Sequence, residues 1–219
     1  MVPVMLAAGC RQEELPAPQV NYFPLETGTF WEYRVEEVTY SPFAAPSANS
    51  YLLRTVVVDS TRSSAGDYIY ILHRFSRPDA NSTWQFLNTW SARLYNGYAL
   101  ITEGNTTYVK LAFPVYVNRT WNGNLFNSLD EDSYRITRQI AGEELSTGLR
   151  VNDIAEVEQE NVTNNLTYRD VRKEWYARNM GLVYKESEVW TYRCGGGTCS
   201  GEIESGYSLR QTLTAFGRE

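Results

Sequence analysis

Alternation at period two recurs from residue 30 to the end of the chain. It restricts the fold to extended strands with one face turned in and the other out. The run Phe30-Trp31-Glu32-Tyr33-Arg34-Val35 puts Trp31, Tyr33 and Val35 on one face. Residues 51–59 are rich in β-branched side chains, residues 60–67 supply turn types, and 68–72 alternate again. Further strands are expected at 83–87, 92–95, 99–102, 108–113, 134–140, 149–159, 166–177, 181–192 and 207–216. Asn96-Gly97 and Gly104-Asn105 fall between neighbouring runs, where tight hairpins need residues that accept positive φ. Residues 152–160 are ambiguous, because Val-Asn-Asp-Ile-Ala-Glu-Val-Glu also fits a short helix. With no long amphipathic helix, the chain reads as mainly β and antiparallel, with few short helices. Sixteen tyrosines, eight phenylalanines and six tryptophans support that reading, since aromatic side chains favour strands.

One stretch is echoed ninety residues on. Phe23-Pro24, Gly28 and Trp31 are matched by Phe113-Pro114, Asn118 and Trp121 at the same offsets. Proline cannot donate to a ladder, and Gly or Asn accepts positive φ, so each copy reads as a turn delivering a tryptophan into a strand. A duplicated half-domain and a shared way of entering a strand both account for it.

Ahead of the strands, Met5-Leu6-Ala7-Ala8-Gly9-Cys10 resembles the lipobox of bacterial lipoproteins. That resemblance implies cleavage before Cys10, lipidation of its sulfur and attachment to the membrane through the acyl chains. Residues 11–18 are polar and proline-bearing, as suits a tether. Arg11 stands where lipoproteins kept at the inner membrane carry Asp, which by the same resemblance places the protein at the outer membrane, facing the periplasm or the cell surface. The expected organisation is a signal-peptide remnant at 1–9, a lipidated tether at 10–21 and a single antiparallel β domain at 22–219.

The first Phe-Pro stretch with Trp31-Glu32-Tyr33, and the segment Trp175-Tyr176-Ala177-Arg178-Asn179-Met180-Gly181-Leu182-Val183-Tyr184-Lys185, resemble uncharacterised envelope lipoproteins of Bacteroidetes. The resemblance implies a curved antiparallel sheet or incomplete barrel, broadly like periplasmic lipoprotein carriers, and carries no catalytic role. The oxidising compartment implied by export lets Cys194 and Cys199 be read as a disulfide across the Gly195-Gly196-Gly197-Thr198 tip. That tip is expected to contact a partner or rim a ligand mouth.

Chemistry leaves few marks on the sequence. His73 has no second histidine to make a metal site, and Glu204-Ser205-Gly206 keeps only the last glycine of a nucleophile elbow. No phosphate loop or dinucleotide fingerprint occurs, so no cofactor is expected. A net charge of −6 without a basic block excludes nucleic acid as an expected partner. Asp130-Glu131-Asp132 lacks the ligand spacing of a calcium loop, and no metal is assigned. Glu156, Glu158 and Glu160 would share one strand face; a solvated face is the expected role, with a glycan-hydrolase pair as the alternative. The five N-x-[ST] sites at Asn81, Asn105, Asn118, Asn161 and Asn165 read as polar loop and strand positions. Trp84, Trp90, Trp175 and Trp190 could form a sugar-stacking platform or line an apolar cavity. The expectation is a non-enzymatic, lipid-anchored binding or carrier module for an apolar or glycan ligand. A structural subunit with an envelope protein partner is the other reading.

Overall fold

The computed structural model describes residues 20–64 and 66–219. Cys10 and most of the expected tether lie outside the described residues. Among the described residues a single 3-10 turn, Val20–Tyr22, precedes twelve strands. They are β1 (Thr29–Tyr40), β2 (Ser47–Arg62), β3 (Tyr68–Arg77), β4 (Gln85–Tyr95), β5 (Tyr98–Glu103), β6 (Thr106–Ala112), β7 (Thr120–Asn122), β8 (Ser133–Glu144), β9 (Arg150–Val162), β10 (Tyr168–Ala177), β11 (Gly181–Gly195) and β12 (Thr198–Arg218). Among the described residues no helix is long and apolar enough to cross a membrane.

All twelve strands belong to one antiparallel sheet in the order β6-β5-β4-β3-β2-β1-β12-β11-β10-β9-β8-β7. The sheet is nearly closed into a barrel, and its one unsealed seam lies between β6 and β7. First and last strands pair along their length, from Thr29 opposite Arg218 to Tyr40 opposite Gly206. The gap therefore falls in the middle of the chain. Bulges interrupt most of the pairings, for example at Glu32/Tyr33, Trp175/Tyr176 and Arg74/Phe75. Each adds local twist and bend, which a sheet needs in order to curl on itself.

The seam is where the sequence echo matters. Gly28 and Asn118 both have positive φ, at 89° and 70°. Gly28 N–H donates to the Val57 carbonyl of β2, and Asn118 N–H donates to the Ile136 carbonyl of β8, each at 2.8 Å. One residue on, Thr29 N–H donates to Glu26 and Arg119 N–H to Tyr116. The two turns thus share hydrogen bonds as well as residue types, and each opens a run of six strands. The halves differ in their first strand: β1 continues for twelve residues, whereas β7 stops after three. With so short a strand, β6 and β7 form no ladder. Side chains and loop backbone bridge the seam instead. Trp121 Nε1–H donates to the Val109 carbonyl at 3.1 Å, Val109 N–H donates to Gly123, and Asn127 Nδ2 donates to Thr107.

Alternation works as read in β1, where Trp31, Tyr33 and Val35 are all buried in the core. Asn96 and Gly97 take positive φ of 49° and 77° between the paired Tyr95 and Tyr98, as a two-residue hairpin requires. Residues 152–160 are strand, because Val151, Ile154, Ala155 and Val157 pack into the core between β8 and β10. The expected strands at 83–87 and 92–95 are one strand, β4, continuous through Asn88-Thr89-Trp90-Ser91 where polar side chains face outward or pair across to β3. The last strand begins at Thr198 rather than 207, since it zips with β11 almost to the hairpin tip. There Cys194 and Cys199 form the expected disulfide, with Cα atoms 4.0 Å apart.

Candidate functional site

The barrel interior is mostly filled by side chains, but a cavity of about 100 Å³ remains inside it. A water molecule needs roughly 10–15 Å³ of such space, so several waters or a small ligand fit. Its walls come from β1 to β6 and β10 to β12, together with Phe23, Pro24 and Leu25 of the segment leading into β1. That segment is held in place from both sides. Phe23 packs on Tyr176 with ring centroids 6.3 Å apart, and the Asn21 carbonyl accepts the Asn179 N–H at 2.7 Å. Gly181 has a φ of 81° and lies so close to Pro24 and Trp31 that a Cβ would meet both at 3.3 Å. Besides taking the positive φ of the turn between β10 and β11, this glycine admits the Phe-Pro segment over the cavity.

The cavity is apolar over much of its wall. Trp31, Leu53, Leu72, Ile101 and Leu182 line it with the Phe23–Leu25 stretch. Two aromatic groups from β1 reach past β12 to the turn that opens β11: Trp31 Nε1–H donates to the Met180 carbonyl and Tyr33 O–H to that of Leu182. Their polar atoms are thereby satisfied, leaving ring faces as wall.

The rest of the wall is charged. Arg74, Glu103, Lys110, Glu174 and Lys185 all line the same space. Glu174 is its centre, with a side chain only 2 % exposed. Its Oε1 lies 3.7 Å from Lys110 Nζ and 3.6 Å from Lys185 Nζ, while Oε2 accepts the Tyr176 hydroxyl at 2.6 Å. Lys110 has a second carboxylate, Glu103, at 3.0 Å. Burial alone would raise the Glu174 carboxyl, yet the two ammonium groups and the Tyr176 and Gln159 hydrogen bonds bring it below the usual carboxylate range. Burial also opposes the charge on Lys110, but Glu174 and Glu103 outweigh it and hold the ammonium above its ordinary value. For Lys185 the balance goes the other way. Burial pulls it down, Lys110 and Arg74 add to that, and Glu174 does not restore it. Tyr33 and Tyr176 are held neutral, pushed up by burial first of all.

Of the four tryptophans singled out in the sequence, only Trp90 reaches this site. The Arg74 guanidinium lies 3.6 Å from the centre of its ring. Trp84 is covered by Arg77 at 4.2 Å. Trp175 packs on Tyr184 with centroids 4.8 Å apart and donates its N–H to Glu156. Trp190 sits edge-on to Tyr40 at 6.0 Å. They do not gather into a platform. Glu156 and Glu158 do share a face, where each is taken by an arginine of β8: Arg138 at 2.8 Å and Arg135 at 2.7 Å. Asp132 pairs with Arg172 at 2.9 Å. His73 stands on the opposite face of β3 from Leu72 and Arg74, edge-on to Phe86 at 5.6 Å. The disulfide-closed tip is not among the cavity-lining residues, so it does not rim this mouth.

Sequence reading missed the charged wall. One signal was present: the chain holds three lysines, Lys110, Lys173 and Lys185, and two of them face the cavity. A wider hollow of about 430 Å³ is lined by Glu36, Glu37, Glu186 and Glu188 with Arg210. Glu186 is already held there by Lys173 at 2.7 Å and Arg210 at 3.3 Å.

No family model matches the chain, and no curated protein matches it. Among solved structures it is similar to a protein of Bacteroides fragilis assigned as exported, with a YmcC-like fold, at 13% identity and a TM-score of 0.48. The match covers 90% of this chain and 98% of that one. A protein of Parabacteroides distasonis assigned as a lipoprotein matches with the same identity, coverage and TM-score. A domain from Vibrio parahaemolyticus assigned to outer membrane lipoprotein sorting matches at 10% identity and a TM-score of 0.23, covering 92% of this chain and 90% of that one.

Proposed function

We propose that this protein is a lipid-anchored outer-envelope binding module that holds a small ligand with an apolar body inside its barrel, without catalysis. The observation that carries the reading is the cavity itself, with Phe23, Leu25, Trp31, Leu53, Leu72 and Leu182 in its wall. Apolar surface removed from water there would stabilise a bound hydrocarbon by roughly 25 cal/mol per Å². A glycan is the weaker choice, because Trp84, Trp175 and Trp190 are engaged by protein partners and offer no common stacking surface.

The neutral fluorophore N-phenyl-1-naphthylamine tests this. Saturable enhancement of its emission, with quenching of tryptophan fluorescence, is the expected result for the folded protein. Thr55 lines the cavity, so Thr55→Phe should fill it and weaken the probe at least tenfold while circular dichroism stays that of a β protein. Non-saturable binding, or equal affinity in the filled variant, would overturn the reading.

The membrane address rests on the lipobox-like Met5–Cys10 stretch. Expressed behind a complete signal peptide, the protein should incorporate labelled fatty acid and partition into detergent. Cys10→Ala should abolish both, and labelled lipid persisting in that variant would sink the anchor.

A further inference from the structure

The charged wall carries more cation than anion. Three cationic groups face the cavity, Arg74, Lys110 and Lys185, against two carboxylates, Glu103 and Glu174. The excess is not a general property of the surface, since the whole chain carries −6. It is also localised. Lys110 is served by both carboxylates, at 3.0 and 3.7 Å, and is only 10 % exposed. Among the described residues Lys185 has a single ion pair, to Glu174 at 3.6 Å, which is beyond direct hydrogen-bond reach. Its side chain keeps 30 % of its surface accessible and lines the cavity, so it is less enclosed by its partners than Lys110. Arg74 has no carboxylate within 4.0 Å among the described residues. Its Nη1 makes one long contact to Asn88 Oδ1 at 3.4 Å, its Nε has no hydrogen-bond partner, and its plane is stacked on Trp90.

A cation partly withdrawn from water and lacking a close counter-charge is under-compensated until an anion neutralises it. Arginine and lysine together, next to an apolar wall, match a ligand with one anionic head and a hydrocarbon body. We propose that the cavity is selective for a small amphiphilic carboxylate, its head between Arg74 and Lys185 and its apolar body against Trp31, Leu53, Leu72 and Leu182. This rests on the binding reading above and adds the charge of the ligand to it. Bound in that way, the carboxylate completes the lumen's charge balance, and the rings of Trp31 and Trp90 flank it.

Octanoate and octanol are matched in chain length and differ in charge, so their competition with N-phenyl-1-naphthylamine at fixed salt and pH 7.5 isolates the head group. Octanoate should displace the probe at least tenfold more tightly than octanol. In Lys185→Gln and in Arg74→Gln the ratio of the two affinities should fall to within about threefold. Thermal denaturation of each variant establishes that it is folded before titration. Equal affinities for the two ligands, or tighter octanol, would overturn the carboxylate proposal while leaving the apolar binding site standing. A tenfold preference that survives both substitutions would overturn it as well. If the neutral probe itself fails to bind, the binding reading falls and this inference with it.

Discussion

Glu174→Gln should lower the free energy of unfolding by about 3 kcal/mol at neutral pH, the lower end of what removing one partner of a buried ion pair costs. Glutamine keeps the shape and can still accept the Tyr176 hydroxyl, so the loss isolates the charge. Without it, Lys110 and Lys185 face each other with Glu103 as the remaining carboxylate in the cavity wall. The lower end is appropriate because Lys185 is 30 % exposed and partly screened by water. For a chain of this length the melting temperature should drop by roughly 6–12 °C. The pH dependence has a definite sign. A carboxyl depressed below its ordinary 4.5 contributes stability that is fully present above that value and is lost as pH falls through the lower folded pKa. The gap between parent and variant should therefore be widest near neutrality and close progressively below about pH 4.5. Coincident melts at pH 7 would show that Glu174 does not hold the two lysines.

Trp121→Ala should cost about 4 kcal/mol, in the range for deleting a large buried aromatic side chain. Two losses combine there. The indole packs against Tyr134 with centroids 6.1 Å apart, and its N–H satisfies the buried Val109 carbonyl across the seam. Trp121→Phe keeps much of the first and removes the second, so it should cost about 1–3 kcal/mol, the penalty for orphaning a buried acceptor. Amide exchange reads the location of the effect. The Val109 N–H, bonded to the Gly123 carbonyl, should exchange faster in Trp121→Ala, whereas the β1–β12 ladder keeps its protection at Val35. Trp84→Ala supplies the contrast. Its ring is engaged by Arg77 on the outside of the core, and the loss should stay near 1 kcal/mol. Equal destabilisation at Trp84 and Trp121 would refute the assignment of Trp121 to the seam.

The candidate site shows why the two levels of information differ. In Val171-Arg172-Lys173-Glu174-Trp175-Tyr176, alternation marks two sets of residues but cannot say which faces inward, since each contains both charged and apolar members. The structure puts Glu174 and Tyr176 in the core and leaves Trp175 outside against Tyr184 and Glu156. In β11, Leu182 and Lys185 both line the cavity although residues three apart on a regular strand face opposite ways. The reason is the bulge that sets Trp175 opposite Tyr184 and Tyr176 opposite Leu182, making Val183 an extra residue. A bulge shifts parity without any residue type announcing it, so alternation alone does not reveal that Lys185 faces the cavity.

The order of residues sets the local features: strands where side chains alternate, turns where Asn96-Gly97 and Gly181 accept positive φ, and the paired Phe-Pro turns that start each half. These arise from steric preferences and burial patterns spanning a few residues, which any stretch of chain carries with it. Tertiary structure alone decided that β1 closes on β12, that the gap falls between β6 and β7, and that Arg74, Lys110, Glu174 and Lys185 meet in one cavity. Those outcomes depend on register, bulges and the early end of β7, which bring together residues as far apart along the chain as Thr29 and Arg218, and in the cavity wall Arg74 and Lys185. No local pattern encodes such a meeting, because the energy of each buried charge is set by the partners that the closed sheet places beside it.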